Sequence, residues 1–434
     1  MNWLRNPRAV LEYVRGSLLF LPGLAVVLAV LAALVLTQPR FELEDSTIPF
    51  FAGGAASAQG LLQAITTAVI TVTTLTFSLT VITLQLASSQ YSPRLLRGFL
   101  RDIGTQVVLS ILLATASYSL IVLRSIGARD DAAGGFVPEL AVSVAVVMAL
   151  VSIGALVYFL DHVTTEIRVD TMLARVRRDT ASVIDRLYPT SEERAEPAPA
   201  PTPPTRAQAV KAVRSGFLQD VDSHGVAELA SERALCLLLR PRVGDPVVQG
   251  TPVAWVWAPS ATESAVEVED FEKLLDQHLT VGFERTGAQD IAFGFRQLTD
   301  VASRALSPGI NDPTTAVHTT VHLTHLLCMV APRPMDDELR RGDNPDTYSR
   351  FPRHKFSDLL EDSVGPLRWY GSGHMQVASA TFQLLAEVHD CCSTVQRQGL
   401  VREQARRLMV ECASAHSPED RRTLEQLADS LLTS

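Results

Sequence analysis

The stretch LLQAITTAVITVTTLTFSLTVITLQLA, residues 61–87, decides the fold. It carries no charge and exceeds the roughly 20 residues that a helix needs to cross a bilayer. Three more segments of the same kind surround it: Ser17–Thr37, Gln106–Leu123 and Pro138–Leu160. Their cores are charge-free, which reads as membrane spans rather than as buried helices of a soluble domain. The spacing thus predicts four transmembrane helices, at about 17–37, 61–87, 106–123 and 138–160. The first is too long for a signal-peptide core and lacks a small-x-small cleavage site, so it is expected to be retained.

Basic flanks set the expected topology. Arg5, Arg8 and Arg15 precede the first span, and acidic Glu42, Glu44 and Asp45 follow it. Arg94, Arg97 and Arg101 follow the second span, and Arg168, Arg175, Arg177 and Arg178 follow the fourth. Arg124 and Arg129, beside Asp130, Asp131 and Glu139, are the discordant pair. Both termini are therefore expected inside, with residues 161–434 cytoplasmic.

Within 61–87, Thr66, Thr73, Thr76, Thr80 and Thr83 recur at steps that place them on one helical face. Gln63, Thr67, Thr71, Thr74, Ser78 and Gln85 widen the polar surface. Two uses are open: lining a water-filled path, or packing with each hydroxyl bonded back to its own helix. After this span, Ser92-Pro93 starts a short amphipathic helix, 93–102, whose Arg94, Arg97 and Arg101 can meet lipid headgroups.

The 434 residues have 20% charged and 47% hydrophobic side chains and a net charge of −9, which argues against nucleic acid as a partner. Mean hydropathy is +0.16, positive because of the spans. Five cysteines are too few for a disulfide framework and fit a reducing compartment.

Beyond the spans, 161–187 reads as a helical stalk and 188–207 as a Pro-rich linker. Residues 208–267 hold short β-type runs split by turn signals, so a small β domain is expected. Its Val243-Gly244-Asp245-Pro246 turn resembles the hairpin of biotinyl/lipoyl-like barrels, but there is no Lys between Lys211 and Lys273 to carry a prosthetic group. Residues 268–434 read as a helical domain with helices at 271–278, 287–306, 313–330, 374–397, 401–415 and 418–432. Residues 332–353 read as a mobile loop. The expected class is an α-helical integral membrane protein with a cytoplasmic α+β portion.

The densest polar constellation is 285–315. Arg296, Asp300 and Arg304 are spaced by four and can form an ion-pair ladder. Asp312 caps the next helix, leaving Asn311, Thr314 and Thr315 at a helix N-terminus. This is either a site for a small anionic ligand or a braced corner between helices. His318, His322 and His325 follow on one helix at metal-ligand spacing, with Cys328 continuing the face, though helical His-x3-His alone is a weak signal and an inter-helix polar face is the preferred reading. No nucleophile elbow, Walker loop or dinucleotide fingerprint occurs, adjacent Cys391 and Cys392 cannot form a Cys-x-x-C pair, and no cofactor or catalytic residue is expected.

Together, LQLASSQYSPR at 84–94, FRQL at 295–298 and ALSPGINDPTTA at 305–316 resemble the DUF2254 family of bacterial predicted membrane proteins. That resemblance implies an inner-membrane protein and brings no activity with it. The reading carried forward is a homo-oligomeric, channel-like protein in contact with the lipid bilayer. The alternatives are a membrane-tethered sensor or scaffold for a small anion, and a metalloenzyme using the histidine row.

Overall fold

The computed structural model describes residues 19–38, 53–90, 102–127, 137–166, 168–190, 203–259, 268–341 and 346–432. The chain divides into two compact units, Met1–Thr171 and Met172–Ser434.

The first unit contains helices α1 (Phe20–Leu36), α2 (Ala55–Gln90), α3 (Ile103–Gly127) and α4 (Glu139–Glu166). Among the described residues three stretches are long and apolar enough to cross a membrane: Ala55–Leu86, Ile103–Ile126 and Glu139–Thr165. The first predicted span appears as the 17-residue α1, shorter than the other three. Helix α3 is the centre and packs on α1, α2 and α4. Small side chains let the helices approach: Ala29, Ala33, Ala58, Ala114, Ala141 and Ala145 share one buried cluster with Leu62 and Tyr118. Some of the polar groups buried here pair across helices, while others, such as Ser110 and Ser143, bond back to a carbonyl of their own helix. The Thr115 and Ser152 hydroxyls lie 2.9 Å apart, and the Tyr118 hydroxyl donates to the Ala141 carbonyl at 3.1 Å. Hydrocarbon offers no water to take their place.

The boundary between the units falls in the first turn of α5 (Val169–Leu187), a helix separate from α4 where the sequence suggested one helix continuing from the fourth span. The apolar face of α5, Met172, Leu173, Val176, Val183 and Ile184, is buried. It lies so close to α8 (Ile291–Ala305) that a Cβ on Gly294 would sit 1.9 Å from Thr180 Oγ1. Arg333 donates to the Tyr188 carbonyl at 2.8 Å and to Asp185 at 2.6 Å, holding the end of α5.

Two sheets follow. The larger has the order β1 (Gln208–Lys211), β5 (Pro252–Trp257), β3 (Cys236–Leu239), β8 (Tyr348–Phe351), β7 (Glu338–Arg341). The smaller has the order β4 (Pro246–Val247), β2 (Gly216–Val221), β6 (Leu279–Gly282). The sheets are therefore not confined to 208–267. The region read as a mobile loop forms an antiparallel hairpin whose β8 pairs in parallel with β3, Leu237 opposite Ser349. Four-residue strands bearing arginines show no apolar alternation, and their partner lies far away in sequence. Asp222-Ser223-His224-Gly225, one of the turn signals between the β-type runs, instead starts α6 (Ser223–Glu232): Asp222 caps it by accepting from the Gly225 N–H at 3.0 Å. Helices α6 and α7 (Val268–Gln277) cover a core that includes Leu218, Val226, Leu237, Val256, Phe271 and Leu275.

The remaining helices are α9 (Pro313–Val330), α10 (Phe356–Gly371), α11 (Met375–Cys391), α12 (Val395–Ala413) and α13 (Pro418–Leu432). The stretch expected as one helix over 374–397 breaks after Cys391, and Thr394 caps α12. Helix α10, with Pro366 inside it, was not anticipated, because an internal proline argues against a helix.

Asp290 ties this unit together. Its carboxylate is fully buried and caps α8 through the Phe293 N–H at 3.0 Å. Arg285 bonds it at 2.7 Å, and His354 Nε2 lies 3.4 Å away while also meeting the Val243 carbonyl at 3.1 Å. The Val-Gly-Asp-Pro turn presses its backbone against the same group. Gly244 has φ +97°, and a Cβ there would lie 2.2 Å from Asp290 Oδ2. Glycine is required on both counts, and the likeness to a carrier hairpin thus reflects packing.

Asp290→Ala removes a cap and the buried carboxylate that Arg285 and His354 face, at a cost of about 3 kcal/mol. Asp290→Asn keeps the cap and is expected to cost less. Thermal melting of the full chain in detergent checks this, with the order wild type, Asn, Ala expected.

Candidate functional site: the polar second span

Helix α2 carries no charged residue and the highest density of hydroxyls among the apolar helices. Its threonines divide between two faces. Thr66 and Thr76 are buried inside the bundle, and Thr73, Thr80 and Thr83 are half-buried. This face packs among apolar residues of α3 and α4, with Val69, Val108, Leu112, Ala155 and Phe159 in one cluster. Three of its hydroxyls bond back to their own helix, Thr73 to the Val69 carbonyl at 2.7 Å, Thr76 to Val72 at 2.9 Å and Thr80 to Thr76 at 2.8 Å, whereas the buried Thr66 hydroxyl has no hydrogen-bond partner among the described residues. Such bonds satisfy each hydroxyl without a neighbour or water. Within one chain, the face singled out from the sequence is the one that packs against the rest of the bundle.

The other polar side chains turn outward. Gln63, Thr67, Thr71, Thr74, Ser78 and Gln85 are all exposed. Thr71, Thr74 and Ser78 bond back to the carbonyls of Thr67, Ile70 and Thr74 at 2.8–3.0 Å.

A pair not flagged by the sequence lies where α3 starts and α4 ends. Asp102 Oδ2 accepts from the Thr105 N–H at 2.8 Å and hydroxyl at 2.7 Å, and His162 Nε2 lies 2.7 Å from the same oxygen. Tyr158 stacks on the imidazole at 5.4 Å. Gly104 makes room, since a Cβ there would lie 2.7 Å from His162 Nε2. Asp102-x-x-Thr105 is a readable cap signature, but its histidine partner is 60 residues away. Arg94, Arg97 and Arg101, the expected headgroup contacts, lie outside the described residues.

In the second unit the 285–315 constellation folds as a corner. Arg296 and Asp300 pair at 2.9 Å on α8, with Arg304 one turn further along the same helix. Asn311 takes φ +50°, and the Asp312 N–H donates to the Ala305 carbonyl at 2.8 Å. Asp312 Oδ1 accepts from the Thr315 N–H at 3.1 Å and Oδ2 from the Thr315 hydroxyl at 2.6 Å, while Thr314 is exposed. The Thr315 hydroxyl bond holds the Asp312 carboxyl below its usual range. That carboxylate occupies the helix N-terminus an external anion would use. His318 is exposed and His322 half-buried. His325 has its pKa lowered by partial desolvation and then by the Arg177 guanidinium, a setting unfavourable to a cation. Among the described residues no group of three or more His, Cys, Asp or Glu is placed to hold one metal ion. Burial, and then the hydrogen bond with Cys391, push the Cys328 thiol up, away from reactivity.

If the inner hydroxyls only satisfy themselves, Thr76→Val is close to isosteric and should change stability by less than about 1 kcal/mol. Unchanged expression and melting temperature in detergent are the expected result.

Comparison with known proteins agrees with a membrane protein and adds no activity. An uncharacterized protein of Mycobacterium bovis is 38% identical over 412 residues, covering 93% of this chain and 77% of its own. An uncharacterized protein of Mycobacterium tuberculosis matches to the same extent. No solved structure matches the chain. The family model described as "Predicted membrane protein (DUF2254)" matches residues 15–387, so the apolar bundle and most of the second unit fall within one family, and the chain belongs to it.

Proposed function

We propose that this protein is a homo-oligomeric, channel-like protein of the bacterial inner membrane. It crosses the membrane four times, both termini are cytoplasmic, and residues 161–434 form a cytoplasmic assembly. The observation that carries this reading is a mismatch between polarity and enclosure. The most polar of the three long apolar helices, α2, is the least enclosed: 22% of its apolar window is buried, against 61% for α3. Polar side chains in hydrocarbon usually face other helices or water. A single chain leaves α2 without that cover, and assembly around α2 supplies it. The basic flanks support the orientation.

The second span supplies hydroxyls and amides but no charge, so a passage along it would discriminate weakly between anions and cations. Purified protein in planar bilayers is expected to conduct under voltage, tension or a change of cytoplasmic ligand, with little selectivity by sign. Silence under all three conditions would overturn the channel reading.

A further inference from the structure

We infer that the outward stripe of α2, formed by Gln63, Thr67, Thr71, Thr74, Ser78 and Gln85, is the face on which copies of this chain meet around an axis normal to the membrane. The inference deepens the oligomeric reading above and rests on it. It moves the contact to the side of the helix opposite Thr66, Thr73, Thr76, Thr80 and Thr83.

The geometry is specific. At 3.6 residues per turn these six positions fall within an arc of about 80°. From Gln63 to Gln85 the stripe runs about 33 Å at 1.5 Å per residue, close to the thickness of the hydrocarbon core. All six side chains are exposed, while the opposite side of the same helix packs on α3 and α4. Apolar Ile70, Phe77 and Ile82 flank the stripe, Val81 falls within its arc between Ser78 and Gln85, and all four are exposed as well. The outer surface of α2 is thus a largely polar line with apolar borders.

Chemistry selects the occupant. Lipid chains cannot accept or donate hydrogen bonds, so a polar line across the whole bilayer is poorly matched to lipid. The line bears no charge, and its members are hydroxyls and primary amides that both donate and accept. Such groups are self-complementary. Copies inserted in the same orientation bring Gln63 level with Gln63 and Gln85 level with Gln85, whatever their number. A row of like charges would repel its own copy; this row does not. Among the described residues neither glutamine amide has a hydrogen-bond partner within the chain. Three of the stripe's hydroxyls between them, those of Thr71, Thr74 and Ser78, already hold a backbone carbonyl by their proton and keep lone pairs free for water or for a neighbouring donor.

Thr71→Cys, Thr74→Cys and Ser78→Cys in the full chain, oxidised in native membranes with copper phenanthroline, test this. Thr76→Cys on the inner face is the control. The unsubstituted chain sets the background for its five free cysteines, all in the second unit. Covalent dimers from the stripe positions, several-fold above both controls, are expected. Equal dimer yield from Thr76→Cys, no dimer from any stripe position, or adducts only of another mass would overturn the inference. Because the stripe side chains face outward, their replacement should leave the fold intact, which expression and melting temperature verify. Conductance without stripe cross-links would leave the channel reading standing and remove this one. Cross-links without conductance would do the reverse.

Discussion

In hydrocarbon a polar group has no water to fall back on, and this constraint orders the membrane unit. Each hydroxyl on the inner side of α2 that makes a bond turns to a carbonyl one turn earlier. That local solution lets threonines occupy a packed seam without cross-helix partners. Where a hydroxyl does reach a neighbour, as Thr115 and Ser152 do, it ties the central helix α3 to α4. The same constraint gives the outward polar side chains of α2 their interest, since α3 and α4 lie on the other side of that helix.

In the second unit the corresponding constraint is one buried carboxylate. Asp290 caps α8, pairs with Arg285, approaches His354 and admits the Gly244 turn against its oxygens. Elements far apart in the sequence, the β hairpin turn, the start of α8 and the segment before α10, converge on one side chain. A buried charge is tolerated only where such partners surround it. Close backbone approach at Gly294, beside Thr180 of α5, adds a second fixed point. These two features explain glycine-bearing motifs that otherwise look like ligand or cofactor signatures.

How much could be read in advance follows the range of each interaction. Helices α9 and α13 begin where Asp312-Pro313 and Ser417-Pro418 place them, because capping is settled within a few residues. Strands β7 and β8 escaped notice because their apolar content is low and their partner β3 is about a hundred residues away. Helix α6 was hidden by Gly225, which suggests a turn but leaves space for His278, whose Nδ1 would lie 2.3 Å from a Cβ there. The polar corner at 296–315 was legible down to the Asp312 cap, but the left-handed backbone at Asn311 and the bond from the Asp312 N–H to the Ala305 carbonyl, which set the turn between α8 and α9, appear only in the fold.

By itself the sequence determined where the long apolar helices lie and that a mixed α and β portion follows them, because hydrophobicity and capping are properties of a linear window. It also placed the threonines on helical faces by periodicity. Only the tertiary structure decided which face of α2 is inside. Two polar faces share one helix, and the choice between them depends on how α3 and α4 pack against it, a matter of small side chains and non-local contact that no window of α2 contains.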